Sequence, residues 1–304
     1  MENKCFRDLL TGNLKTAKIS LLGIPYDKNA SVGKGASLAP DNLRALSYHL
    51  PALTKDAEDI SGFKLYDMGN VVANNDEKVE DYFARVQKEA FRALTLTPYS
   101  WYLGGDHSIA IATERAFYDY ALSLGKEPVI IHIDAHPDIC DIYEGSKYSH
   151  ACPIRRAIDY GYKTENIVLI GMRGFEAQEV NYFNLHPELK VYSSSYLNAN
   201  GLSEVLAYLN KTFADDRYLV YLSYDIDAND PSFAPGTGTP EAFGLTSKMV
   251  LTLILDIVKN LNVKAMDLVE IAPPLDVNDI TSWLGLKTMY EIFNVLLKKE
   301  KKHA

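Results

Sequence analysis

The chain alternates short runs of apolar and β-branched residues with longer stretches whose apolar positions recur at helical spacing. The strand candidates are Lys18–Gly23, Lys64–Met68, Ser100–Leu103, Val129–Ile133, Ile167–Ile170, Leu189–Tyr192, Tyr218–Tyr224 and Val263–Val269. Helix candidates lie between them at Pro40–Leu50, Asp76–Leu94, Ser108–Leu124, Ala151–Tyr160, Leu202–Phe213, Ser247–Leu261 and Ile280–Leu297. Within Asp76–Leu94, residues Val79, Phe83, Val86, Ala90 and Leu94 form a stripe that a helix gathers on one face. Pro40 suits a first helical turn, where its missing N–H costs nothing. Several strands are almost continuously apolar, as in Val129-Ile130-Ile131. Strands that hide both faces read this way, and they belong to parallel sheets covered by helices. The alternation predicts one α/β domain over residues 1–304, built on a mainly parallel sheet of about eight strands. No Ser/Gly-rich linker, repeat or low-complexity block divides it.

Composition narrows the class. Apolar residues make up 47% and charged residues 23% of the 304 positions, which excludes a disordered, collagenous or disulfide-stapled chain. No stretch reaches the ~18 apolar residues that a membrane span needs. The first eight residues lack the apolar core of a signal peptide. Three scattered cysteines, Cys5, Cys140 and Cys152, fit a reducing cytoplasm. The formal charge of −9 makes nucleic acid and anionic membranes poor partners and small cations good ones. The lysine-rich end, Lys298 to His303, reads as cations that suit the dipole of a last helix and then fray into water.

Some familiar motifs fail. Gly33-Lys34-Gly35 has the wrong glycine spacing and lacks the Ser/Thr of a phosphate loop. There is no G-x-G-x-x-G fingerprint, no G-x-S-x-G elbow and no C-x-x-C pair. Cys140 and Cys152 read as packing residues.

Three other segments follow predicted strands, where open parallel sheets put their ligands. They are Gly104-Gly105-Asp106-His107-Ser108, His132-Ile133-Asp134-Ala135-His136-Pro137-Asp138 and Ser223-Tyr224-Asp225-Ile226-Asp227. In an extended strand residues i and i+2 share a face, which would align Asp134, His136 and Asp138, and likewise Asp225 and Asp227. Carboxylates crowded in a buried cleft are costly unless a cation neutralises them. Oxygen and imidazole donors without thiolate favour a hard or borderline ion such as Mn²⁺. Asp134, Asp138, Asp225 and Asp227 with His107 and His136 exceed what one ion needs and predict a pair, held about 3.5–4 Å apart. His132 reads as a core or supporting residue, and Asp106 as a helix cap or a residue that orients a ligand.

These segments carry a resemblance. Gly-Gly-Asp-His-Ser at 104–108, Asp-Ala-His-Pro-Asp at 134–138 and the run from Ser223 to Pro240 resemble the ureohydrolases, the family of arginase, agmatinase and related guanidino-acid hydrolases. Gly-Ile-Pro-Tyr-Asp at 23–27 and Asp-Leu-Val-Glu-Ile-Ala-Pro at 267–273 extend the likeness over nearly the whole chain. The resemblance implies a three-layer α/β/α, arginase-like fold and two Mn²⁺ per chain, with Co²⁺, Ni²⁺ or Fe²⁺ as alternatives. It implies one ion on His107, Asp134, Asp138 and Asp225, and the other on Asp134, His136, Asp225 and Asp227. It further implies catalytic roles for three residues: His150 as a mobile proton-transfer histidine, Glu270 as the carboxylate that pairs with a guanidinium, and Asp138 as a carrier of the proton released by water. The expected assembly is a homotrimer or homohexamer.

Two departures from arginases point to a substrate without an α-carboxylate. The loop Ile139 to Tyr148 carries acids and tyrosines in place of an Asn/Thr/Ser set, and Gly171-Met172-Arg173 is followed by Gly174. The favoured reaction is agmatine to putrescine plus urea. Guanidinobutyrate, arginine or formiminoglutamate hydrolysis is the alternative, as is a non-catalytic binding protein or a one-zinc deacetylase. Phe243 stands where most members have glycine; it either reshapes the site mouth or packs on the next helix. Lys147 reads as a solvated loop lysine, with the option of meeting a substrate carboxylate.

Overall fold

The computed structural model describes residues 5–303. Its strands are β1 (Ile19–Ile24), β2 (Leu65–Asn70), β3 (Tyr99–Gly104), β4 (Glu127–Ile133), β5 (Ile167–Met172), β6 (Lys190–Ser193), β7 (Tyr218–Tyr224) and β8 (Val263–Leu268). They form one sheet in the order β2-β1-β3-β8-β7-β4-β5-β6, and every neighbouring pair is parallel. The helices are α1 (Ala39–Ser47), α2 (Val79–Leu96), α3 (Ala110–Ser123), α4 (Pro153–Tyr160), α5 (Ala177–Leu185), α6 (Ser194–Asn200), α7 (Ser203–Phe213), α8 (Ser247–Asn260) and α9 (Ile280–His303).

The apolar strands bury both faces, as expected. In β4, Val129, Ile131 and Ile133 join an apolar core with α1, α6, α7, α8 and α9. Ile130 joins the opposite core, with α2, α3 and α4 and with Tyr182 and Phe183 of α5. Helices on both sides of one parallel sheet make three layers. Since every strand runs the same way, all their C-terminal ends open along one edge. The strand order sets the ends of β3, β8, β7 and β4 side by side at its centre.

Two helices escape the periodicity reading. Helix α5 is mostly half-buried or exposed, so its apolar stripe is faint. Its start is marked instead by a capping box between Glu176 and Glu179. Helix α6 has seven residues, rich in Ser and Asn, which compete with the helical backbone for hydrogen bonds. The lysine-rich end is a correction. Helix α9 continues to His303 rather than fraying, with Lys298 Nζ 2.6 Å from Glu58 and Lys299 Nζ donating to the Leu261 carbonyl at 2.6 Å. The leader reading begins on residues 1–4, which lie outside the described residues. No helix among the described residues is long and apolar enough to cross a membrane.

All three cysteines are free and buried. Burial pushes the Cys5 thiol up to about 11 and that of Cys152 to about 12, and raises Cys140 further. The reactive thiolate is therefore scarce at neutral pH. Native protein is expected to react with a thiol reagent such as DTNB far more slowly than denatured protein, which should titrate all three. A rapidly reacting native thiol would contradict this packing.

Candidate active site

Loops just past four adjacent strands bring the candidate residues together. His107 follows β3, Asp134 to Asp138 follow β4, Asp225 and Asp227 follow β7, and Glu270 follows β8. Gly105 has a local reason: a Cβ there would collide with the backbone of Tyr26, whose carbonyl accepts the Asp106 N–H at 2.8 Å. Asp106 caps a 3₁₀ turn over His107–Ile109 by accepting the Ser108 N–H, and so fulfils the capping role.

The same-face argument needs correction. Strand β4 ends at Ile133 and β7 at Tyr224, so the aspartates lie beyond the extended backbone that the two-residue period assumes. Asp225 and Asp227 flank the start of another 3₁₀ turn, Ile226–Ala228, which Asp225 caps. Asp138 sits in the left-handed region at φ 52, as does Glu270 at φ 61. Such backbone costs on the order of 1–3 kcal/mol per residue and is over-determined by its surroundings at functional sites. The side chains converge through loop geometry, not through strand parity.

Nevertheless they do converge. His107 Nδ1 lies 2.9 Å from Asp134 Oδ2, 3.1 Å from Asp138 Oδ2 and 3.1 Å from Asp225 Oδ2. His136 Nδ1 lies 3.1 Å from Asp227 Oδ2 and 3.5 Å from Asp134 Oδ1. Burial and neighbouring carboxylates push Asp225 and Asp138 well above the usual carboxylate range. Burial also opposes charge on His107, but Asp134, Asp225 and Asp138 outweigh it and hold that imidazole well above its ordinary pKa. Four carboxylates thus crowd around two imidazoles, and without a cation the cluster must hold protons.

The hydrogen bonds behind His107 settle which of its nitrogens faces the carboxylates as a donor atom. Ser223 Oγ donates to Asp267 Oδ1 at 2.9 Å, and Asp267 also accepts from Tyr221 at 2.7 Å and from the Tyr224 N–H at 3.0 Å. With its single proton so engaged, Ser223 accepts from His107 Nε2 at 2.9 Å. In the neutral ring Nδ1 is then the lone-pair nitrogen, and neither it nor Asp134 Oδ2 has a well-aligned hydrogen bond although both are buried. A metal ion fits these orphaned atoms, displacing any proton held there. Two donor groups among the described residues can hold one: His107, His132, Asp134 and Asp138, and separately Asp134, His136 and Asp227. His132 belongs to the same cluster. Its Nε2 lies 3.0 Å from Asp134 Oδ2 and 3.1 Å from the His136 carbonyl. The ring stacks on His107 at 4.8 Å.

Glu270 and His150 stand beside this cluster. Glu270 Oε1 accepts the His107 backbone N–H at 2.7 Å and a bond from His150 Nδ1 at 3.1 Å. His150 is no free loop histidine: it is only 9% exposed. Burial works against its charge, but Glu270 outweighs burial and raises its pKa.

A cleft of about 430 Å³ opens over these groups. His107, His136, Asp138, His150, Asp225 and Glu270 line it, with Glu144, Glu176, Glu179 and Glu241 farther round and neither lysine nor arginine among the lining residues. Lys147 rests its ammonium 5.2 Å from the Tyr148 ring centre and does not line the cleft, the solvated reading. Phe243 corrects both of its expected roles: it is 83% exposed and is absent from the cleft lining, so its ring neither narrows the cleft nor packs on a helix.

A model of the arginase family matches residues 17–294. The chain is 32% identical to agmatinase of Halalkalibacterium halodurans over 285 residues, 92% of each protein. It is 30% identical to guanidinobutyrase of Pseudomonas aeruginosa over 282 residues, 91% of this chain and 86% of that protein. The chain belongs to the arginase family. In structure it matches agmatine ureohydrolase of Thermoplasma volcanium with a TM-score of 0.87 and 29% identity, covering 100% of this chain and 98% of that one. This arginase-family chain is an agmatinase-like hydrolase acting on guanidino or amidino groups.

Several residues that shape the site in this arginase-family fold were not legible as such. Arg173 donates to the carbonyls of Asp227, Ala228, Asn229 and Glu241, and so pins the Asp227 turn to the cleft wall. Gly174 leaves room for His136, since a Cβ there would lie 2.5 Å from the ring. Gly33 packs against the backbone of Gly238, too close for any side chain. Gly33-Lys34-Gly35 thus marks a close backbone approach, and its glycines were the available signal.

Proposed function

We propose that the chain hydrolyses agmatine to putrescine and urea. The observation that carries this choice is the charge of the cleft: acidic residues surround it and no lysine or arginine lines it. A guanidino compound ending in an ammonium meets opposite charge there. One ending in a carboxylate, such as guanidinobutyrate or arginine, meets repulsion without a cationic partner.

In this reading His107, Asp134, Asp138 and Asp225 hold one divalent ion, and Asp134, His136, Asp225 and Asp227 hold the other, with Mn²⁺ favoured and Co²⁺, Ni²⁺ or Fe²⁺ sharing the donor set. When bound, the pair supplies charge that brings the pKa of water toward neutrality. The rest falls to side chains. Glu270 accepts from the planar guanidinium and orients its carbon. Asp138 takes the proton that attacking water releases. His150 hands a proton to the departing amine, without which the C–N bond does not break. The reaction suits a reducing cytoplasm, and a homotrimer or homohexamer with neither nucleic acid nor membrane as partner.

Urea release should be screened with added Mn²⁺ on agmatine, arginine, guanidinobutyrate, guanidinopropionate, guanidine and formiminoglutamate. Agmatine is expected to give the highest kcat/KM. A carboxylate-bearing compound at the top would overturn the choice of substrate.

A further inference from the structure

His150 is strapped in place from the side opposite Glu270. The strap is the segment Asn29 to Ser31, itself tied to the loop that carries His107. The Asn29 N–H donates to Asp106 Oδ2 at 2.9 Å, and its side-chain amide donates to Ser108 Oγ at 3.1 Å. The Asn29 carbonyl accepts the His150 N–H at 3.3 Å. Ser31 then meets the imidazole twice: its N–H donates to Nε2 at 3.2 Å, and its Oγ lies 3.0 Å from the same nitrogen.

A backbone N–H can only donate. His150 Nε2 is therefore the lone-pair nitrogen in this arrangement, and Nδ1 carries the proton that Glu270 Oε1 accepts. The proton on Nδ1 faces the reaction side and the lone pair on Nε2 faces Ser31. Ser31 lines the cleft and is half-exposed, and its neighbour Val32 is 60% exposed. The imidazole itself is nearly sealed. Besides Glu270, the charged or titratable groups that act on it are Asp106 and His136.

We propose that the Ser31 hydroxyl is the link through which His150 exchanges protons with solvent, while the Ser31 N–H presets the tautomer that allows it. This rests on the proposed ureohydrolase chemistry. The step balances as a relay. The His150 Nδ1–H bond breaks as the departing amine gains an N–H bond. Nε2 gains the Ser31 hydroxyl proton, and Ser31 Oγ gains one from a water at the mouth. The imidazole ends neutral with its proton on Nε2, and resets when Nδ1 takes up the proton released by the next attacking water while Nε2 returns its own through Ser31 to solvent. The net event moves one proton from solvent to amine. Ser31 acts through His150 and is thus a positioning residue.

Two measurements test it. With ¹⁵N-histidine and zinc in place of manganese, the His150 resonances (identified by their loss in His150→Asn) should show a proton on Nδ1 in the wild type and in Ser31→Ala. A proton on Nε2 would overturn the tautomer. In kinetics, Ser31→Ala should lower kcat for urea release by roughly 10-fold, less than the roughly 10²–10⁴-fold of a direct acid–base group because water partly replaces the hydroxyl. KM and bound metal should not change, and Ser31→Thr should restore the rate. A Ser31→Ala enzyme as fast as wild type would overturn the relay while leaving the ureohydrolase reading intact. Absence of urea release by the wild type from every guanidine would instead sink that reading, and the relay with it, whatever the spectra show.

Discussion

Asp227→Ala is expected to lose bound metal and, with it, nearly all urea release. Asp227 Oδ2 lies 3.1 Å from His136 Nδ1, while its Oδ1 accepts the Ala135 N–H at 3.1 Å. In the proposed reading this one carboxylate serves a metal position and also holds the chain segment between Asp134 and His136. Removing it should cost more than the roughly 10–100-fold in metal affinity or activity that outer-shell changes cost. Metal analysis of the purified variant should find about one ion per chain where the wild type holds two, at matched Mn²⁺ concentration. The fold should survive, because Asp227 is one of several buried carboxylates whose mutual repulsion opposes folding when no cation is present; its own pKa is raised by burial despite His136. An unchanged metal count would remove Asp227 from the donor set.

Glu270→Gln should separate substrate orientation from metal binding. The amide oxygen can still accept the His107 N–H and the His150 Nδ1–H, the two bonds that Glu270 Oε1 accepts. Metal content and thermal stability should therefore stay near wild type. What disappears is the negative charge opposite the guanidinium. Hydrogen bonds to charged groups are worth about 1.5–3 kcal/mol against about 1 for neutral ones, so kcat/KM should fall by roughly 2- to 30-fold. Steady-state urea kinetics beside metal analysis would check both halves. Normal turnover in this variant would dismiss the guanidinium clamp.

Much of this molecule was readable along the chain. The inner strands stand out because a strand buried on both faces is largely apolar, as β5 is throughout and β4 is over Val129–Ile131, whereas the edge strands β2 and β6 are only partly buried. The long amphipathic helix α2 was readable for the complementary reason: one face meets the sheet and the other meets water. Helices α5 and α6 were not, since short or half-exposed segments have little apolar surface to pattern. The six metal-binding candidates were readable by residue type. Carboxylates and imidazoles placed just past parallel strands have few roles besides ligation, and burial makes their charge expensive without a cation.

Sequence by itself determined the alternating architecture, the acidic donor set and the kind of chemistry those donors perform, because each depends on residue type and local spacing. Tertiary structure alone decided which nitrogen of His107 faces the carboxylates, and that His132 stacks on that ring beside Asp134. It also decided that Phe243 is exposed outside the cleft lining and that Ser31 clasps His150. Each of these rests on contacts between segments far apart in the chain: Ser31 and His150 lie 119 positions apart, and His107 and Ser223 lie 116 apart. No local pattern encodes such a meeting. It exists only once the sheet has placed its strand ends side by side.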